Sequence, residues 1–146
     1  MTRVLIIGYG NTLRGDDAAG VRAAEQVARR HPEFETVCLH QLVPELAEQI
    51  AASDAAFFLD ADISVPETTS KLIEPGSTPD DPRSHFISPE SLLMLSRQLY
   101  QRVPSAVYAI GIPASDFAFS ESLSSRTAEC VNECVELIDT LLHRSH

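Results

Sequence analysis

The chain has 146 residues, a length that predicts one domain, spanning residues 1–146, with a sizeable core. Hydrophobic residues make up 44% and charged residues 22% of the sequence, proportions that are typical of a globular protein. The formal net charge is −10, which argues against a nucleic-acid partner and an anionic membrane surface.

The first half of the chain alternates apolar runs with helical patterns. Residues 3–8 predict a buried strand, and residues 18–31 predict an amphipathic helix. A short strand is expected at residues 36–40, followed by a helix that begins at Pro44, where a missing N–H costs nothing. Residues 55–59 predict the next buried strand.

The second half continues this alternation. Ser88 and Pro89 predict the start of a helix, because serine is a favoured N-cap and proline fits the first helical turn. We expect Leu92, Leu95 and Leu99 to form the core-facing stripe of that helix. The other predicted segments are an edge strand at residues 68–73, a loop at 74–84, a strand at 106–110 and a helix at 124–143. The whole pattern predicts a three-layer α/β/α sandwich with a mostly parallel, twisted sheet.

The three cysteines are informative about the hydrophobic core and about the cellular compartment of the protein. Cys38 falls in a predicted strand, and Cys130 and Cys134 lie one helical turn apart, so all three are interpreted as core residues. An odd number of cysteines and the lack of a signal-peptide pattern at the N-terminus favour a cytoplasmic protein. No apolar stretch has the length of a membrane span, so no membrane insertion is expected.

The stretch from Gly8 to Gly20 lies between the first strand and the first helix. Glycines at positions 8 and 10 permit close backbone approaches, and Asn11 can hold a turn through its own backbone. Nucleotide binding is disfavoured, because the third glycine of that fingerprint would fall at Leu13. Two adjacent carboxylates, Asp16 and Asp17, then precede the helix. A helix N-cap needs only one of them, so the other is a candidate for chemistry.

A second pair of carboxylates, Asp60 and Asp62, follows the predicted strand at residues 55–59. Strands of a parallel sheet end at the same edge, so these acids are expected near Asp16 and Asp17. His85 follows the loop at residues 74–84. Two carboxylates and one imidazole suit a divalent transition metal such as nickel, zinc or iron. The sequence contains no Gly-x-Ser-x-Gly elbow and no His-Glu-x-x-His motif.

The motif Gly8-x-Gly10-Asn-x-Leu-x-Gly-Asp16-Asp17-x-x-Gly20 resembles the signature of the hydrogenase maturation endopeptidases. The resemblance continues through five further segments and so covers nearly the whole chain. These are Leu42-Val-Pro-Glu-Leu46, Asp60-Ala61, Ser84-His85, Gly111-Ile-Pro113 and Leu123-Ser124.

The resemblance implies that Asp17, Asp60 and His85 contact a metal ion. From their positions after predicted strands and in the adjoining loop, we expect these residues to converge in a shallow groove at the carboxyl edge of the sheet. The position of the histidine is open, since in some members it aligns nearer to Glu90, and His40 is a third choice. The usual Asp-Asp-Gly is Asp16-Asp17-Ala18 here, so the turn must form without the conformational freedom of glycine.

The implied activity is removal of the C-terminal extension from the large-subunit precursor of a [NiFe] hydrogenase after nickel insertion. The metal would be the nickel of the substrate, with no organic cofactor, and Asp17 and Asp60 would act in catalysis. A non-enzymatic, metal-dependent chaperone of the precursor is the alternative. We assign Asp16 to the loop and the helix start, where its loss as a cap would cost on the order of 1 kcal/mol, and Asp17 to the metal.

Overall fold

The computed structural model describes residues 2–76 and 86–144, and it contains a five-stranded sheet. The strands are β1 (Val4–Tyr9), β2 (Glu35–Leu39), β3 (Ala55–Asp62), β4 (Thr69–Leu72) and β5 (Ala106–Pro113). Their order across the sheet is β2-β1-β3-β5-β4. The first three pairings are parallel, and the edge strand β4 runs antiparallel to β5.

Helices cover both faces of the sheet. They are α1 (Ala19–Arg30), α2 (Leu46–Ala51), α3 (Pro89–Tyr100) and α4 (Ser125–Arg144), and a short 3-10 helix (Gly15–Ala18) precedes α1. Helices α1 and α4 pack together on one face, and α2 and α3 pack together on the other. The predicted three-layer α/β/α sandwich is therefore confirmed. Among the described residues, no helix has the length and apolarity needed to cross a membrane.

The central strands are apolar on both sides because each face is covered by helices. In β1, Val4 and Ile6 join the core beneath α1 and α4, while Leu5 and Ile7 join the core beneath α2 and α3. The neighbouring residues Phe57 and Phe58 of β3 divide in the same way, and both are fully buried. The two cores are thus separate layers that share the same strands.

The start of α3 follows the sequence prediction, but part of its core stripe does not. Ser88 is the N-cap, and its hydroxyl accepts a hydrogen bond from the Ser91 N–H at 3.1 Å. The buried positions are Ser91, Leu92, Leu93 and Ser96, whereas Leu99 is 57% exposed. The prediction for Leu99 was wrong because the last turn of α3 extends beyond the surface that the sheet and α2 cover.

Two further expectations need correction. Cys38 is exposed, because β2 is an edge strand whose cover is incomplete, whereas Cys130 and Cys134 are buried as predicted. Pro44 lies in the turn before α2 and not at its first residue; its carbonyl accepts a hydrogen bond from the Ala47 N–H. Most of the loop expected at residues 74–84 lies outside the described residues.

The strand order creates a topological switch point between β1 and β3. From β1 the chain crosses to β2 on one side through α1, and it then returns through α2 to β3 on the other side. The connections therefore diverge at the carboxyl ends of β1 and β3, which leaves a crevice where α/β proteins bind their ligands. In the register of this pair Gly8 lies opposite Leu59, so Tyr9 and Asp60 follow side by side.

Candidate functional site

Two adjoining grooves occupy this switch point, with volumes of about 460 Å³ and 600 Å³. Tyr9, Asp17 and Asp60 line both grooves, and we call the combined depression the carboxylate cleft. The first groove extends over the ends of β1 and β2 towards His40, and the second extends over the ends of β3 and β5 towards Lys71 on β4. The cleft therefore runs across the carboxyl edge of the sheet, with the two aspartates where its halves meet.

The loop after β1 brings Asp17 into the cleft. Gly10 has φ +145°, and a Cβ there would clash with the carbonyl oxygen of Asp17, so only glycine allows the two segments to lie so close. The backbone N–H of Asn11 donates to Asp17 Oδ2 at 2.9 Å. The Asn11 side chain accepts from the Leu13 N–H at 2.9 Å, which is the turn expected from the sequence. Ala18 has φ −80°, so the turn after the aspartates needs no glycine.

Asp60 is one of the last three residues of β3 and not a loop residue, because the strand continues to Asp62. Burial, the charge of Asp17 and the charge of Asp62 raise the pKa of Asp60 to about 7. Hydrogen bonds from the Ala61 N–H and the Tyr9 hydroxyl oppose this rise. At neutral pH the carboxyl group of Asp60 is thus present in both protonation states, which suits a group that transfers protons.

Asp16 has the structural role that was expected, but with different partners. It caps neither the 3-10 helix nor α1, and it is completely buried. Its carboxylate accepts hydrogen bonds from the backbone N–H groups of Ser115, Asp116 and Ser124 at 2.7–3.0 Å, and from the Ser124 hydroxyl at 2.8 Å. Burial opposes ionisation, but these donors outweigh it and lower the pKa of Asp16 to about 2. Asp16 therefore joins the loop that carries Asp17 to the loop after β5.

The backbone reinforces this connection between the two loops. The Gly15 N–H donates to the Ser120 carbonyl at 2.9 Å, and the Ser120 N–H donates to the Leu13 carbonyl at 2.9 Å. Gly15 has φ +51°, in the left-handed region that glycine adopts without strain. Asp17 is thus held by a loop that is fixed at both ends, to the sheet and to the loop after β5.

The remaining candidates differ in their relation to the cleft. Asp62 has a local role, since its carboxylate accepts from the N–H and the hydroxyl of Ser64, which lowers its pKa. His40 lines the cleft. Glu90 lies close enough to Tyr9 for its charge to raise the pKa of that residue. His85 lies outside the described residues, and within residues 2–76 and 86–144 no group of three or more histidine, cysteine or acidic side chains is arranged to hold a metal ion.

Three titratable residues that line the cleft were not singled out from the sequence: Tyr9, Arg14 and Lys71. Burial raises the pKa of Tyr9, and so do the negative charge of Asp60 and its hydrogen bond to that carboxyl group. The hydroxyl therefore stays protonated and donates to Asp60. The signal for Tyr9 was its position between Gly8 and Gly10, at the end of a central strand. Lys71 gave no such signal, because the antiparallel pairing of β4 with β5 is what brings it to the cleft.

These groups define what the cleft can do chemically. The charge of Asp17 raises the pKa of Asp60, and a cation placed between two carboxylates relieves such repulsion. A carboxyl group that titrates near neutral pH can also take a proton from water or return one to a leaving group. The cleft is therefore suited to a positively charged centre and to acid–base chemistry beside it.

Comparisons with known proteins agree with this arrangement at the level of the fold. No protein-family model and no curated protein matches the chain. Solved structures do match. A [NiFe] hydrogenase maturation protease HycI from Thermococcus kodakarensis KOD1 has a TM-score of 0.72 at 25% identity, covering 97% of this chain and 93% of that one.

Two other solved structures match over a similar length. The hydrogenase maturating endopeptidase HybD from E. coli has a TM-score of 0.71 at 20% identity, over 98% of this chain and 93% of that one. The [NiFe] hydrogenase maturation protease HybD from Thermococcus kodakarensis has a TM-score of 0.69 at 22% identity, over 95% of this chain and 98% of that one. The resemblance to hydrogenase maturation endopeptidases is confirmed in that proteins bearing this name share the fold over nearly their whole length.

Proposed function

We propose that this chain is an endopeptidase that removes the C-terminal extension of a [NiFe] hydrogenase large-subunit precursor after nickel insertion. The observation that carries the proposal is the meeting of Asp17 and Asp60 in one cleft at the switch point of the sheet. The motif from Gly8 to Gly20 and the fold shared with named maturation proteases support the same conclusion.

In this proposal the nickel belongs to the substrate. Asp17 and Asp60 contact it when the precursor docks, and His85 supplies the third contact. Glu90 and His40 are the alternatives to His85, since both lie at or near the cleft. The cation relieves the repulsion that raises the pKa of Asp60, so binding of the loaded precursor is favoured over binding of an unloaded one.

The reaction is hydrolysis of one peptide bond. Water supplies a hydroxyl group to the carbonyl carbon and a proton to the amide nitrogen that leaves. The sequence offers no serine or cysteine nucleophile in a recognisable setting, so a carboxylate of the cleft activates the water. The Tyr9 hydroxyl donates to Asp60 and thereby orients its carboxyl group in the cleft.

The deciding experiment is incubation of the protein with the nickel-loaded precursor, followed by mass spectrometry of the large subunit. We expect a product shortened at its C-terminus, and no product from a nickel-free precursor. Asp17→Asn should abolish the cleavage. Glu121→Gln is the matched control, because Glu121 is an exposed acid in the loop after β5 that lines neither groove.

The competing function is a metal-dependent chaperone that holds the precursor without cutting it. It would give a stable complex with the loaded precursor and an unchanged subunit mass after long incubation. That result, obtained with the folded wild-type protein, would overturn the peptidase proposal.

A further inference from the structure

Large apolar side chains are exposed around the carboxylate cleft. Leu13 is 45% exposed, Ile63 is 75% exposed and Phe119 is 86% exposed. Each belongs to the segment that follows a different central strand: β1, β3 and β5 respectively. All three therefore lie at the carboxyl edge of the sheet, and we call them the apolar rim.

The structure joins the members of this rim to the cleft. The Ser120 N–H donates to the Leu13 carbonyl at 2.9 Å, so the segment carrying Phe119 lies directly beside the segment carrying Leu13. Ile63 lines the second groove together with Asp17 and Asp60. Leu13 lies between Asn11 and Arg14, which line the first groove, and Phe119 is two residues from Phe117, which lines the second. The rim thus borders the cleft.

No packing requirement explains this exposure. The loops after β1 and β5 are held by the buried Asp16 carboxylate and by backbone hydrogen bonds, so Leu13 and Phe119 are not needed to fix them. Exposed apolar surface that is bordered by polar groups is typical of protein interaction sites. Aromatic side chains are also enriched among the residues that contribute most to binding.

We propose that the apolar rim is the docking surface for the folded body of the hydrogenase large-subunit precursor, an inference that rests on the proposed function. The partner is a protein that presents a cationic centre within an apolar collar, so that its cation meets the two aspartates and its collar meets the rim. A second copy of this chain is disfavoured as the partner. Each copy has a net charge of −10 and an acidic cleft, so two copies would repel each other at this surface. An anionic membrane is disfavoured for the same reason.

Binding affinity tests the rim independently of cleavage. The dissociation constant is measured for immobilised nickel-free precursor, which is not expected to be cut. We expect Phe119→Ser and Ile63→Ser each to weaken binding about tenfold or more, as loss of a central apolar contact does at other interfaces. Thermal unfolding of each variant should match the wild type, because neither side chain is buried.

Leu99→Ser is the matched control. Leu99 is 57% exposed, but it lies in the last turn of α3, next to the start of β5 and therefore at the opposite edge of the sheet. Its dissociation constant should equal that of the wild type. If the wild type binds only nickel-loaded precursor, the variants are compared on that form. If both rim variants fold and bind as tightly as the wild type, or if the wild type binds neither form of the precursor, the docking proposal is wrong.

Two further outcomes separate this proposal from the proposed function. Binding that depends on the rim without any cleavage of nickel-loaded precursor would support docking and refute the peptidase. A wild-type dimer that Phe119→Ser converts to monomers in sedimentation experiments would assign the rim to a second copy, and so would overturn the docking proposal.

Discussion

Asp16 and Asp17 are neighbours in sequence, but their carboxylates meet opposite surroundings. Asp16 is fully buried and accepts three backbone N–H groups and one hydroxyl. Asp17 is half-buried, accepts one backbone N–H through Oδ2 and lines the cleft. A carboxylate surrounded by donors is a structural anchor, whereas one at a cleft with few donors is available to a ligand.

Asp16→Ala should therefore lower the free energy of unfolding by about 3 kcal/mol or more, since it leaves buried donors without an acceptor. This exceeds the cost on the order of 1 kcal/mol that a lost helix cap would have. Urea unfolding measures the change. Asp17→Asn is the comparison, and it should cost little because its surroundings are partly solvated. An Asp16→Ala variant as stable as the wild type would refute the anchoring role.

The raised pKa of Asp60 predicts how stability depends on pH. The pKa is about 7 in the folded protein, against about 3.9 for an aspartate in an unfolded chain. The unfolded state therefore loses this proton first as the pH rises from 4 to 7, and the folded state loses stability over that range, on the order of 4 kcal/mol. The stability that the protonated group confers is fully present below pH 4 and gone above pH 7.

Urea unfolding of wild type and Asp60→Asn at several pH values isolates this effect. The asparagine variant does not titrate, so its stability relative to the wild type should increase from pH 4 to pH 7 and then level off. Glu48→Gln, which removes an exposed carboxylate of α2, should not alter the slope in this way. A constant difference between wild type and Asp60→Asn would mean that Asp60 has an ordinary pKa.

At the scale of elements, the close contact of α1 with β1 and β3 sets the spacing of the two aspartates. A Cβ on Gly20, in the first turn of α1, would clash with the carbonyl oxygen of Leu59, the residue before Asp60. A Cβ on Gly8 would lie 2.7 Å from Ala24 Cβ. These glycines let the helix lie against the strands, so that Asp17 and Asp60 line the same cleft.

Gly20→Ala should be destabilising, by at least about 2 kcal/mol, because the clash is with rigid backbone. Replacing glycine by alanine within a helix ordinarily stabilises the helix by about 1 kcal/mol. A loss of stability in Gly20→Ala would therefore show that the clash outweighs this gain. Cleavage of the precursor should fall as well. Gly76→Ala is the control, since a Cβ there would lie 3.4 Å from Glu90 Cβ and its φ is not positive. A neutral or stabilising Gly20→Ala would show that α1 moves without cost.

The local patterns predicted most of the elements because strands buried on both faces and amphipathic helices carry their own periodicity. The predictions that failed concern features that are set by contacts between residues distant in sequence. The donors to Asp16 lie 99 to 108 residues further along the chain, so no local pattern indicates them. Whether Cys38 and Leu99 are buried depends on an edge strand and on where the neighbouring surface ends. The site residues Asp17 and Asp60 could be named because Asp17 follows one central strand and Asp60 lies at the carboxyl end of another, whereas Lys71 reaches the cleft only through the pairing of β4.

At the scale of the whole molecule, the candidate site and a polar contact between α1 and α4 lie at opposite edges of one sheet. The carboxylate cleft and the apolar rim lie at the carboxyl edge. Near the amino edge, Asp139 of α4 joins the end of α1, with its carboxylate 2.7 Å from His31 Nε2 and 2.9 Å from the Arg30 guanidinium. The two cores share β1, β3 and β5, so neither helical layer can separate without exposing the strands beneath the other.

The chain should accordingly unfold as one cooperative unit, as expected for a single domain. Calorimetry should give one transition, with equal calorimetric and van't Hoff enthalpies, about 100 kcal/mol at this length. Asp139→Asn should lower the melting temperature of that same transition by a few degrees, because it weakens the contact between α1 and α4. It should leave cleavage of the precursor unchanged, since Asp139 lies far from the cleft. A second transition, in the wild type or in this variant, would show that one helical layer unfolds by itself.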